Sequence, residues 1–71
     1  MPIRATPPFT ERDWRMLQFV ADGLRYKDIV PEVEYKNASV VRNRFKIMFD
    51  AAGADTIAAL VAYGFRQGKI T

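Results

Sequence analysis

The chain has 71 residues, 49% of them hydrophobic, and a net charge of +3, which suits one small folded domain. It contains neither cysteine nor histidine, so we expect no disulfide, no metal site, no cofactor and no catalytic nucleophile–base pair. No apolar run reaches the ~20 residues of a membrane span, and the first residues lack a signal-peptide pattern. These features predict a soluble, cytoplasmic protein that is not an enzyme and does not contact a membrane.

Residues 1–9 are predicted to be a flexible N-terminal arm, because Pro2, Pro7 and Pro8 oppose a regular helix. Arg4 gives the arm a single positive charge, and one charge is weak evidence for a contact with DNA. The folded domain is expected to comprise residues 10–71.

The first predicted helix begins at Thr10 and ends at Gly23. Thr10 and Asp13 have the spacing of a capping box, and Phe9 can pack against Trp14 as a hydrophobic staple. We interpret Trp14 as a core residue rather than a ligand-stacking one. The apolar face at helical spacing comprises Trp14, Leu17, Val20, Ala21 and Leu24, widened by Met16 and Phe19.

The second predicted helix, residues 25–35, is short and partly acidic. Lys27 lies in its first turn, where a side chain and free amides can meet a phosphate. Pro31 removes a helical hydrogen bond, so the helix is either kinked or short, or begins late enough for Pro31 to lie in its first turn. Glu32 and Glu34 are expected to be solvated and would repel phosphates. The residues predicted to face inward are Ile29, Val30 and Val33.

The third predicted helix begins after an Asn37 cap and ends at Gly53. Its inward face is Val41, Phe45, Met48 and Ala52, and its opposite side carries Ser39, Arg42, Asn43, Lys46 and Asp50. Arginine can pair with guanine and asparagine with adenine, so this polar side suits the DNA major groove. The alternative is a solvated helix whose charges only keep the domain soluble.

The last predicted helix runs from about Thr56 to Gln67, with Asp55 or Thr56 as its cap and Gly68 as its stop. Its predicted core face is Ile57, Leu60, Val61 and Gly64. Because the helix is apolar around most of its circumference, we predict that a partner covers part of it. The predicted dimer or partner interface is Ala58, Ala59, Ala62, Tyr63, Phe65 and Arg66. An ordinary core helix with exposed alanines is the alternative.

A short helix, a tight connection and a capped second helix with outward polar groups form a helix-turn-helix pattern. On this pattern the chain resembles the LuxR/GerE-type DNA-binding domain over residues 9–70. The resemblance is carried by the ordered segments 9–13, 21–24, 27–29, 41–43 with Met48, 53–54 and 60–68.

The resemblance implies an all-α, four-helix domain whose third helix reads bases through Arg42, Asn43 and Lys46. It also implies backbone contacts from Lys27, Asn37, Ser39 and Arg44, and a dimer contact through the last helix. Arg44 stands where the family usually has histidine. The connection before the third helix is one residue longer than usual, Val40 replaces a phosphate-binding threonine, and Asp50 and Ala51 replace basic residues. DNA binding is therefore expected to be weak or to depend on pairing.

Two functions follow from these expectations. The first is a small, stand-alone transcriptional regulator that binds double-stranded DNA as a homodimer, with its third helix in the major groove. The alternative is an antiactivator or protein-interaction module that uses the same fold to pair, through its last helix, with a larger transcription regulator. A possible protein partner is therefore a transcription regulator or RNA polymerase. With no sensor domain in the sequence, regulation is expected to come from expression level, dimerisation or another protein.

Overall fold

The computed structural model describes residues 9–71, and within them the chain forms four α-helices and no β-strand. The helices are α1 Glu11–Ala21, α2 Tyr26–Val33, α3 Ala38–Ala52 and α4 Ile57–Arg66. The all-α expectation is confirmed for this part of the chain. The predicted N-terminal arm lies outside the described residues except for Phe9. No helix within residues 9–71 is both long enough and apolar enough to cross a bilayer.

The predicted starts of α1, α3 and α4 are confirmed by side-chain caps. In α1, the Thr10 hydroxyl accepts from the Asp13 amide at 3.1 Å and the Asp13 carboxylate accepts from the Thr10 amide at 3.0 Å, a complete capping box. The Asn37 side-chain oxygen accepts from the Val40 amide at 3.2 Å at the start of α3. At α4 the Thr56 hydroxyl is the cap, 3.1 Å from the Ala59 amide.

The connection between α2 and α3 is tight and contains a backbone conformation unusual for its residue type. α2 ends at Val33 rather than at residue 35 as predicted, and Pro31 lies in its last turn, so of the three possibilities the helix is short. Glu34 then adopts a left-handed conformation with φ of 63°, which costs a non-glycine residue about 1–2 kcal/mol. Gly53 takes the same conformation after α3, with φ of 68° and without that cost.

The core lies between all four helices, and α1 and α3 each contact the other three. Its fully or almost fully buried apolar residues are Met16, Leu17, Ile29, Val33, Val41, Phe45, Met48, Leu60 and Ile70. The predicted inward faces of α2 and α3 are therefore largely confirmed, with Val30 and Ala52 half-buried.

One prediction for the C-terminal part is wrong. Ile57 was placed on the core face of α4 but is 36% exposed. A helical side chain leans toward the N-terminal turn, and Ile57, as the first helical residue, has no such turn to cover. In the short segment after α4, Ile70 is buried in the core. Thr71 is held beside it, because its amide donates to Gln18 Oε1 at 2.9 Å and its carbonyl accepts from Gln18 Nε2 at 3.0 Å.

The predicted hydrophobic staple is confirmed and extends into an aromatic cluster. The rings of Phe9 and Trp14 stack with 4.4 Å between their centroids. Tyr63 of α4 adds a third ring, 5.7 Å from Phe9 and 6.3 Å from Trp14. Trp14 therefore packs α1 against α4, which agrees with its interpretation as a core residue.

Candidate nucleic-acid interface

The side of α3 that faces away from the core is polar apart from one isoleucine, and we call it the outward α3 surface. It consists of Ser39, Arg42, Asn43, Lys46, Ile47 and Asp50, all exposed and spaced at intervals of three or four residues. Among residues 9–71, the side chains of Arg42, Asn43 and Lys46 have no hydrogen-bond or ion-pair partner. The structure thus groups the three predicted base-reading residues and leaves their donors available to a ligand.

Three of the predicted backbone-contacting residues lie near helix starts and are exposed. Lys27 is the second residue of α2, and Ser39 is the second residue of α3. Asn37 caps α3 with its side-chain oxygen, so its side-chain amide group still has donors to offer. First-turn amides and these donors are suited to an anion such as a phosphate.

Acidic side chains on α2, on the turn before α3 and on α3 itself reduce the positive charge of this part of the domain. Glu32 and Glu34 are exposed beside the turn that leads to α3, as expected from the sequence. Asp28 bonds to both the backbone amide and the guanidinium of Arg25, at 3.3 and 3.4 Å. The surface therefore combines specific donors with little net positive charge.

Arg44 differs from the other predicted DNA-contacting residues because it faces the interior. Its Nε donates to Asp13 Oδ1 at 3.1 Å and its Nη2 donates to Asp13 Oδ2 at 2.5 Å. Asp13 is fully buried, and the Arg44 side chain is 27% exposed. The hydrogen bond to Asp13 raises the pKa of Arg44 and outweighs the lowering by burial. The guanidinium is thus a fixed charge that links α3 to the first turn of α1.

Sequence reasoning missed this ion pair because it assigned Asp13 only to the capping box. A signal was present, since Arg44 is three residues after Val41 and four before Met48, at the border of the apolar face. Its partner, 31 residues away, could not be deduced from helical spacing.

An open cleft of about 370 Å³ lies beside this pair and is lined by Thr10, Glu11, Arg12, Tyr35 and Arg44. The Arg12 guanidinium lies 4.7 Å from the centre of the Tyr35 ring. Glu11 and the buried Asp13 oppose the two arginines, so the charges at the cleft balance. It therefore lacks the excess positive charge expected of an anion site.

The exposed side of α4 forms the outward α4 surface, defined by Ala58, Ala59, Ala62, Phe65 and Arg66. Four of these residues are exposed and Ala62 is half-buried; the Phe65 side chain is 51% exposed. Tyr63, which was predicted with them, is half-buried in the aromatic cluster with Phe9 and Trp14. The surface is apolar apart from Arg66, unlike the outward α3 surface.

Comparison of the chain with protein-family models, with curated proteins and with solved structures finds no significant match. The functional interpretation therefore depends on the residues of this chain and their arrangement.

Proposed function

We propose that this protein is a sequence-specific DNA-binding transcriptional regulator of the LuxR type that acts as a dimer. In this proposal α3 enters the major groove, α2 lies across the phosphate backbone, and the outward α4 surface pairs two copies. Dimer half-sites are then separated by roughly one turn of the duplex, ~10 bp.

The main support for the proposal is the set of donor groups on the outward α3 surface. Arg42 and Asn43 provide donor groups that suit two-point contacts with guanine and adenine, and Lys46 lies one turn further on the same side. The short α2 and its four-residue connection to α3 complete a helix-turn-helix arrangement.

Lys27, Asn37 and Ser39 are the proposed backbone-contacting residues. Arg44, which the sequence also suggested, is left out because its guanidinium is held by Asp13. Glu32, Glu34 and Asp50 weaken non-specific attraction to phosphates. Specific binding then depends strongly on base contacts and on two half-sites being occupied together.

The proposal is tested by selecting duplexes from a random-sequence pool and measuring their affinity by fluorescence anisotropy at two salt concentrations. We expect an enriched site of two half-sites, with weaker binding as salt rises. Arg42→Ala is expected to cost about 1–3 kcal/mol on that site and to relax the preference at one base pair.

The matched control is Lys69→Ala, which removes the same charge from the C-terminal segment, where Lys69 lies 6.0 Å from the Trp14 ring centre. This variant should bind the selected site nearly as well as the wild type. If Arg42→Ala weakens every sequence equally, Arg42 does not read bases. If no duplex is bound at low salt, the proposed function is wrong.

A second candidate function, a protein-interaction module such as an antiactivator, is favoured by a different observation. The outward α4 surface exposes half of Phe65 beside small residues that permit close backbone approach. A larger transcription regulator could occupy this surface in place of a second copy. Association of the purified protein with itself, measured without DNA, favours the dimer; a monomer at high concentration favours the interaction module.

A further inference from the structure

Ile47 is an unusual residue on the outward α3 surface because it is large, apolar and exposed. Its side chain is 43% exposed, whereas the core residues Phe45 and Met48 on either side of it in sequence are 1% exposed. It follows Lys46 directly and lies one turn after Asn43, among side chains that otherwise carry donors or charges. Ile47 therefore leaves apolar area exposed that the packing of the domain does not cover.

The chemistry of the major groove offers one apolar partner for such a side chain. Base edges there present hydrogen-bond donors and acceptors, and thymine alone adds a C5-methyl group. A branched aliphatic side chain cannot bond to the polar groups, but it can cover a methyl group and exclude water from it.

We propose that Ile47 is a specificity-determining residue that contacts the C5-methyl group of a thymine. This inference rests on the proposed function, because it requires the outward α3 surface to lie in the major groove. The thymine belongs to the same half-site as the bases that Arg42 and Asn43 contact. Ile47 then selects T·A over C·G at one position where hydrogen bonds from its neighbours do not discriminate.

The test replaces each thymine of the selected half-site in turn by deoxyuridine, which removes the methyl group and leaves every hydrogen-bonding group in place. Affinity is measured by fluorescence anisotropy for the wild type and for Ile47→Ala. For the wild type we expect one replacement to weaken binding about fourfold, the value of one buried methyl-sized group. For Ile47→Ala, the thymine and deoxyuridine duplexes should bind equally.

Ile57→Ala is the matched control, since Ile57 is a similarly exposed isoleucine on α4. It should keep the wild-type difference between thymine and deoxyuridine. Circular dichroism should show that both variants fold, because both side chains are exposed. A selected duplex that no deoxyuridine weakens overturns the role of Ile47 and leaves the proposed function intact, as does a methyl effect that persists in Ile47→Ala. If the wild type binds no duplex, both the proposed function and this inference are wrong.

Discussion

The outward surfaces of α3 and α4 differ although the inner sides of the two helices share one core. Inside, Val41 and Phe45 of α3 and Leu60 of α4 are fully buried or nearly so. Outside, α3 presents guanidinium, amide and ammonium groups, whereas α4 presents alanines and Phe65. Charged side chains are well hydrated without a protein partner, whereas the hydration of exposed apolar area is unfavourable. The contrast indicates that the core determines the fold, while each outward surface determines what its helix can bind.

The largest expected effect is the difference in stability between replacing the inward arginine of α3, Arg44, and replacing an outward one, Arg42. Arg44→Ala leaves the Asp13 carboxylate buried without its cation and should destabilise the domain by about 3 kcal/mol or more. Arg42→Ala removes an exposed arginine two residues away and should change stability by no more than about 0.5 kcal/mol. Urea unfolding followed by circular dichroism measures both.

A double variant separates the charge effect from lost packing. Asp13→Asn keeps a side-chain oxygen that can accept from the Thr10 amide but removes the negative charge. Combined with Arg44→Ala, it should recover at least about 1 kcal/mol relative to Arg44→Ala alone. If Arg44→Ala lowers the free energy of unfolding no more than Arg42→Ala does, the ion pair does not attach α3 to α1. The two sides of α3 would then not differ in the way described above.

The next prediction compares the same substitution on the two outward surfaces. Ala58→Glu places a charge on the outward α4 surface. Because a symmetric dimer pairs this surface with itself, its interface then contains two such charges. It should weaken self-association by about 2 kcal/mol, or roughly 30-fold in the dissociation constant. Ala51→Glu puts the same charge on an exposed position of α3 and should leave association nearly unchanged. Sedimentation velocity without DNA distinguishes the two; equal weakening would mean that α4 is not the contact.

Sequence reasoning predicted the local features of the fold well because they depend on neighbouring residues. The Thr10, Asn37 and Thr56 caps follow from side chains that reach amides three residues away. The inward residues of α3 follow from helical spacing alone.

Features that depend on distant residues were missed. The Asp13–Arg44 pair joins positions 31 residues apart, and the burial of Ile70 depends on how the C-terminal segment returns to α1. The same distinction between local and long-range features applies to the candidate site. The grouping of Arg42, Asn43 and Lys46 was predictable from one helix, but the inward orientation of Arg44 requires the partner that α1 provides.

Tyr26 lies at the border between the core and the outward α3 surface, and its titration gives the smallest expected effect. Its ring stacks on that of Phe45 with 4.8 Å between centroids. Burial raises its pKa above the usual value of 10.0, against a smaller lowering by the charge of Arg42. The folded domain therefore favours the neutral phenol. The stabilisation is fully present below about pH 10 and is lost as pH rises through the raised pKa, because the unfolded chain releases this proton more readily.

Tyr26→Phe cannot ionise, so it isolates this contribution from the other groups that titrate in the same range. The free energies of unfolding of the wild type and Tyr26→Phe should differ by a constant amount from pH 7 to 9. Above about pH 10 the difference should shift in favour of Tyr26→Phe, as measured by urea unfolding at each pH. The further variant Arg42→Ala should strengthen the wild-type dependence, because the charge of Arg42 lowers the pKa of Tyr26. A difference that stays constant across the whole pH range would mean that the Tyr26 hydroxyl is solvated. The core would then end at Phe45 and would not include Tyr26.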